Sequence, residues 1–277
     1  VQALNVGISS GEAIAGYTVA DVYTKFKEAE SNPCNASVSP SINLDFHPNA
    51  TGHGLIADTI SALLTDEGGS EDPEVSGSIF VGGVELEGGG DTTAYAVTNN
   101  GAVTTDNADE NHYNIKWDGA TLTLKGATIT QGSHENAAIY YDEATDLEIV
   151  LEGDNTVTGP DASLGGGSSS DGIHVVDDEV TLTISGSGSL AATGGDAPQT
   201  SGGESYGIYT WGDAIITSGT VTATGGDATQ TSGGESYGIY TWGDAIITSG
   251  TVTATGGDAT QTSGGESYGI YTWGDAI

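Results

Sequence analysis

The end of the chain repeats itself letter for letter. Ser201–Ile215 reads SGGESYGIYTWGDAI and returns at Ser232–Ile246 and Ser263–Ile277, a period of 31 residues. Each full copy holds three short runs, YGIYTW, DAIIT and TVTAT, separated by Gly-rich turns. β-branched and aromatic runs punctuated by Gly, Asp and Ser predict strands rather than helices. Self-similarity at this period predicts stacked supersecondary units, none of which can bury its apolar face alone. The expected fold is therefore mainly β, a parallel solenoid of 31-residue coils. A solenoid presents one side chain again and again in a line, so candidate sites are ladders of side chains.

Charge narrows the partners. The formal net charge is −35, with no Arg and only Lys25, Lys27, Lys116 and Lys125 as fixed cations. Residues 1–65 hold six carboxylates and two lysines, a net of −4, which leaves −31 on the rest. Nucleic-acid binding needs Lys and Arg to displace counterions, and an anionic membrane face needs the same. Cations are the natural partners of such a surface. Cys34 is the only cysteine, so no disulfide forms within the chain and no Cys-type metal spacing exists. No apolar run approaches the ~20 residues that cross a bilayer. The chain opens at Val1 and stops within a repeat at Ile277, so both ends read as cuts. The lack of a signal sequence then says nothing of location.

Residues 1–65 are not repetitive. ADVYTKF, with Val19 and Val22 in a short strand, precedes a Pro/Ser/Asn-rich loop and then LDFHPNATGHGLIADTISALL. Ile56, Ile60, Leu63 and Leu64 share one helical face, which predicts an amphipathic helix over Gly54–Leu64. Asp45, His47, Pro48, Asn49, Gly52 and His53 resemble the closing block of SGNH (GDSL-type) hydrolases, an α/β family. The resemblance implies that His47 is the general base for a serine and Asp45 its orienting carboxylate. The family's commoner Asp position, three residues before the His, is Leu44 here. The family's Gly-Asp-Ser nucleophile and oxyanion-hole blocks would lie before Val1, so the triad is incomplete and this chain is expected to be inactive as an esterase. Gly7-Ile8-Ser9-Ser10-Gly11 fits G-x-S-x-G, but that motif needs a strand, elbow and helix within a large sheet, which 65 residues cannot build.

Residues 66–77, polar, acidic and Gly/Pro-bearing, read as a linker. Beyond it, Tyr113–Thr130 alternates as a half-exposed strand pair does. Ala138–Asp142, Gly172–Val176 and Gly207–Trp211 occupy one slot of successive coils. Ile139, Ile173, Ile208, Ile239 and Ile270 are then expected to point inward. Alternation turns Tyr140, His174, Tyr209, Tyr240 and Tyr271 outward, with Trp211, Trp242 and Trp273 beside them. IKWDGATLTLKGATIT, LEIVLEGDNTVTG and GIYTWGDAIITSGTVTATGG resemble a family of bacterial (Firmicutes) extracellular carbohydrate-binding domains. The resemblance spans residues 78–277 and implies a right-handed parallel β-helix that is secreted or on the cell surface. It also implies a polysaccharide ligand, of plant cell-wall type, and Ca²⁺.

Three ladders compete for that role. Tyr209, Tyr240 and Tyr271 with Trp211, Trp242 and Trp273 form two stripes at ~4.8 Å per coil. Exposed rings suit pyranose faces, while stacking for stability is the alternative use. Three acidic columns follow: Asp213, Asp244 and Asp275; Asp196, Asp227 and Asp258; Glu204, Glu235 and Glu266. Unit charges ~5 Å apart repel by about 0.8 kcal/mol even in water, and hard oxygen ligands favour Ca²⁺. Screening by salt serves equally. Outward Thr at Thr220–Thr224 and Thr251–Thr255 resembles ice-binding arrays, although Ser189–Thr193 breaks the pattern. The expectation is a polysaccharide-binding β-helix behind the end of an SGNH-type esterase domain. The alternative is a structural or adhesive surface stalk stabilised by cations. A polysaccharide-lyase reading lacks the Arg or Lys base it would need beside Ca²⁺.

Overall fold

The computed structural model describes Ile56 and residues 77–162, 169–197, 203–228, 234–259 and 265–277. The chain divides into two units, Val1–Pro73 and Glu74–Ile277. Apart from Ile56 and Gly77, the SGNH-like segment with Asp45 and His47, the Gly7–Gly11 motif, the helix expected over Gly54–Leu64 and the 66–77 linker lie outside the described residues.

The second unit begins with antiparallel hairpins. Strand β1 (Gly77–Val81) pairs with β2 (Val84–Gly88) across Gly82-Gly83, both at positive φ. Strand β3 (Ala94–Asn99) pairs with β4 (Ala102–Thr104) across Asn100-Gly101, also both at positive φ. These are the left-handed turn residues that match the twist of a two-residue hairpin. Strand β5 (Ile115–Trp117) bridges β3 to β6 (Thr121–Lys125), again antiparallel. This is the strand pair that alternation predicted within Tyr113–Thr130. Trp117 is fully buried; its indole N–H donates to Gly77 O at 2.9 Å, and Tyr141 meets it edge-on.

From there the strands stack in parallel, in three sheets. The first runs β8 (Ala137–Tyr141), β11 (Ser169–Val175), β14 (Glu204–Thr210), β17 (Glu235–Thr241) and β20 (Glu266–Thr272), with β1 and β2 covering its first edge. The second runs β7 (Thr128–Ile129), β10 (Asp154–Thr158), β13 (Ser189–Thr193), β16 (Thr220–Thr224) and β19 (Thr251–Thr255). The third runs β6, β9 (Leu147–Glu152), β12 (Leu182–Gly186), β15 (Ala214–Ile216) and β18 (Ala245–Ile247). This unit is thus a β-solenoid, and its hairpins occupy edges that would otherwise recruit other strands. Matched side chains are 35 residues apart at Asp161 and Asp196, and 31 apart in the coils after that. Three of the four residues are lost in the turn out of the first sheet, where Val176–Thr181 gives way to Trp211–Asp213. The fourth is lost between the third and second sheets, where the spacing falls from 32 at Leu182 and Ala214 to 31 at Ser189 and Thr220.

The core is a set of columns. Ile139, Ile173, Ile208 and Ile239 stand in register and are buried, as expected; Ile270 continues the column in the last coil, where it is 37% exposed. Leu122, Ile149, Ile184 and Ile216 form a second column, and Val157, Ala192 and Ala223 a third. Each fully buried Ile or Leu contributes about 1.5–3 kcal/mol, so the stack is held mainly by apolar contact. Asn155 is a buried polar residue in line with the third column. Its carbonyl oxygen accepts Ala127 N–H at 2.8 Å and its amide donates to Ser189 O at 3.0 Å, joining three coils at once. That gives the LEGDNTVTG phrase a structural reason. In the next coils the same place is Leu190 and Val221.

Candidate binding surface

The outer face of the first sheet carries two tyrosine columns where alternation predicts one. Along ESYGIYT, Ile208 points in and Tyr209 out, so strict alternation would send Tyr206 inward. Tyr206 instead stacks on Tyr209 outside, with ring centroids 4.6 Å apart. The strand slips phase at Gly207, which drops out of the pairing register between Tyr206 and Ile208. A Cβ there would lie 2.6 Å from Thr224 N and 2.7 Å from Gly238 O, so only glycine lets the coils close at this point. Tyr206 and Tyr237 are buried, and their hydroxyls donate to Glu204 Oε2 at 2.8 Å and Glu235 Oε2 at 3.0 Å. Burial, reinforced by those carboxylates, pushes both phenols far above the usual tyrosine range.

The columns named from sequence are in place but differently presented. Tyr240 is only 8% exposed, and Tyr209 and Tyr271 are half-buried against the same cluster. Burial also raises Tyr209, to about 12. Trp211, Trp242 and Trp273 are 40%, 44% and 62% exposed. Their rings stack on one another, Trp211 to Trp242 at 5.6 Å and 16°, Trp242 to Trp273 at 5.2 Å and 6°. Two of the indole N–H groups reach back one coil: Trp242 donates to Tyr209 Oη at 3.3 Å and Trp273 to Tyr240 Oη at 2.8 Å. Trp242 therefore has both faces occupied by its neighbours and shows solvent an edge. A flat sugar platform needs an open face, and this stack offers one only at its ends.

The aromatic order begins one coil late. In β11 the places of Tyr206 and Tyr209 are taken by Asp171 and His174. Asp171 is fully buried; it accepts Ser169 Oγ–H at 2.7 Å, and His174 Nδ1 lies 2.9 Å from its Oδ2. That contact is close but poorly aligned for a hydrogen bond, and Asp171 Oδ1 and His174 Nε2 have no partner. Burial raises the Asp171 carboxyl above its ordinary range, and His174 and Ser169 partly offset it. His174 stacks on Tyr209 at 4.5 Å, so the pair joins the capped start of the solenoid to the repeats. Thr210 shows the same change of coil. Thr241 and Thr272 donate to Gly212 O and Gly243 O, whereas the turn below Thr210, Val176–Thr181, has no glycine to match and Thr210 Oγ1 is left without a partner.

The acidic columns serve the backbone. Asp213 Oδ1 accepts Asp244 N–H at 2.8 Å, and Asp244 Oδ1 accepts Asp275 N–H at 2.7 Å. Asp161, Asp196 and Asp227 do the same for Asp196, Asp227 and Asp258, at 2.9–3.1 Å. Each carboxylate caps an amide one coil on, which offsets part of the repulsion along the column. Glu204 and Glu235 are committed to tyrosine hydroxyls. Among the described residues no three His, Cys, Asp or Glu side chains converge as a metal group; Asp196, Asp213, Asp227, Asp244, Asp258, Glu204 and Glu235, the residues expected to hold Ca²⁺, stand in columns that repeat from coil to coil. A pair of substitutions separates the two uses. Asp244→Asn keeps the acceptor oxygen and removes a charge, so its Tm should equal or exceed that of the parent chain, while Asp244→Ala should cost about 1 kcal/mol. A calcium-bridged column would instead lose stability in Asp244→Asn, and the parent chain would melt lower in chelator at equal ionic strength.

Comparison with protein families, curated proteins and solved structures finds no match to this chain.

Proposed function

We propose that residues 77–277 are an anionic surface stalk, a spacer whose reach is set by the number of coils. The observation that carries it is that the repeated side chains bond coil to coil: Trp to Trp, Trp to Tyr, Asp to the next amide. Beyond Lys125 the sequence holds no Lys or Arg, so neighbouring stalks repel and stay apart. The segment before it resembles an SGNH-type esterase end, with Asp45 and His47 in the triad positions, and a stalk would hold such a domain out from a cell surface. Variants with one and two extra 31-residue copies test the idea by small-angle X-ray scattering. The long dimension should grow by ~4.8 Å per copy, with Tm constant or rising. No lengthening, or a falling Tm, would defeat it.

Polysaccharide binding is the second reading, favoured by one observation. Among the described residues the exposed large apolar side chains are the Trp column and Ile247, Tyr268, Ile270 and Ile277 of the last coil, so Trp211 and Trp242 stand out with coils on both sides. A glycan lying along the column would meet one indole edge per coil, and its affinity should climb steeply with oligosaccharide length. Replacing Trp211 and Trp242 together by Ala should abolish binding to xylan or pectin with the far-UV spectrum kept. Absence of binding across a glycan panel by the folded chain would leave the stalk alone.

A further inference from the structure

The outer aromatic track is continuous from coil to coil and from surface to buried ring. From Trp211 it passes to Trp242 and Trp273, and each coil links Trp, outer Tyr and buried Tyr: Trp242 to Tyr240 at 6.4 Å, Tyr240 to Tyr237 at 5.1 Å. The coil before it repeats the path, Trp211 to Tyr209 at 6.4 Å and Tyr209 to Tyr206 at 4.6 Å. At its inner end each path stops on a phenol hydrogen-bonded to a carboxylate. The chain contains no Met and one Cys, so sulfur offers little competition for an oxidant.

We propose that this track is a relay for one-electron oxidation, in which the exposed Trp column meets the oxidant and Tyr206 and Tyr237 supply the electron. The oxidant is a peroxide-derived one-electron acceptor, such as a ferryl haem or a carbonate radical. It removes one electron from Trp242 and leaves an indole radical cation. An electron from Tyr237 refills Trp242 by way of Tyr240, and the phenolic proton of Tyr237 moves along its hydrogen bond to Glu235 Oε2. The products are reduced oxidant, a neutral tyrosyl radical and a protonated Glu235. A thiolate from solution closes the cycle: its electron and the proton on Glu235 restore Tyr237, and a thiyl radical leaves. Tyr206 and Glu204 do the same for Trp211 through Tyr209. The acceptor carboxylate is needed because these phenols hold their proton far above neutral pH, so electron loss must carry the proton with it.

Flash oxidation of the folded chain by photogenerated tris(bipyridyl)ruthenium(III) tests this, read by transient absorption and by mass spectrometry of the products. The indole radical signal should decay as a tyrosyl radical grows in. In Glu204→Gln with Glu235→Gln, which keeps a hydrogen-bond acceptor but takes no proton, tyrosyl yield should fall several-fold and oxidised Trp211 and Trp242 should rise. Tyr206→Phe with Tyr237→Phe keeps the ring stack and should give the same result if the glutamine variant does not fold. Tyr95 and Tyr113, which pair with each other at 5.3 Å away from the track, serve as internal comparison. Unchanged tyrosyl yield in the folded variants, or equal oxidation of Tyr95 and Tyr113, would overturn the relay.

Discussion

Gly238→Ala should unravel the coils that follow it. A Cβ at Gly238 would lie 2.5 Å from Thr255 N, 2.6 Å from Ala223 O and 2.7 Å from Gly269 O. All three are backbone atoms of neighbouring strands, so no side chain can swing aside. Overpacking of this kind costs about 3 kcal/mol or more, against about 1–3 kcal/mol where side chains absorb it. In a solenoid each coil rests on its neighbours, so the loss extends to the coils that depend on the broken one. Gly126→Ala is the informative control. Gly126 has φ +62° but open space around its absent side chain, so only the backbone preference is at stake, about 1–2 kcal/mol. Hydrogen exchange should show β17 and β20 deprotected in Gly238→Ala with β9 and β12 intact. Equal protection in the two variants would mean that the coils tolerate a wider closure than their contacts indicate.

Acidification should stabilise the solenoid, the reverse of the usual acid response. Burial raises Asp171, and His174 and Ser169 offset it only in part. Burial also raises Glu204, where Tyr206 opposes the shift and Glu235 and Asp171 add to it. A carboxyl whose folded pKa lies above its unfolded value holds its proton more tightly when folded. Stability is then greatest below the unfolded value and falls as pH rises through the interval up to the folded one. The −35 net charge works in the same direction. Melting at pH 8 and at pH 5 should give the higher Tm at pH 5. Asp171→Asn with Glu204→Gln should raise Tm by several degrees at pH 8 and flatten the profile. A parent Tm that falls toward pH 5 would overturn this expectation.

Much of this fold could be read from the repeat, because a solenoid is close to one-dimensional. The three runs of each copy became β14, β15 and β16, and the slots aligned at Ile139, Ile173 and Ile208 are paired residue for residue. What the letters did not give was the phase slip at Gly207, since alternation assumes an unbroken pleat. A Gly between two apolar residues in S-Y-G-I-Y was the available signal, and it would have placed Tyr206 and Tyr237 outside. The acidic columns were visible as charges but not as caps, because the amides they accept are backbone groups that carry no letter. Asp171 and His174 lie outside the perfect repeats, so periodicity gave them no weight. The Thr face was legible in part. Ser189–Thr193 does interrupt it at Ala191, but Thr158, Thr193, Thr224 and Thr255 run unbroken in register.

The side-chain hydrogen bonds between the identical copies have a direction, whereas the backbone bonds run both ways, Ala245 N–H giving to Asp275 O and Trp273 N–H to Thr241 O. Trp273 gives its indole proton to Tyr240, Asp275 its amide proton to Asp244, Thr272 its hydroxyl proton to Gly243, and Gly257 its amide proton to Ser236. In each the later residue donates and the earlier one accepts. A finished coil therefore offers a prepared row of acceptor oxygens to the segment that comes next, in the order in which a ribosome delivers the chain. Assembly is then a matter of reading rather than searching: every new turn is laid against a complete copy of itself, and lengthening the gene by one period adds a turn whose template is already folded.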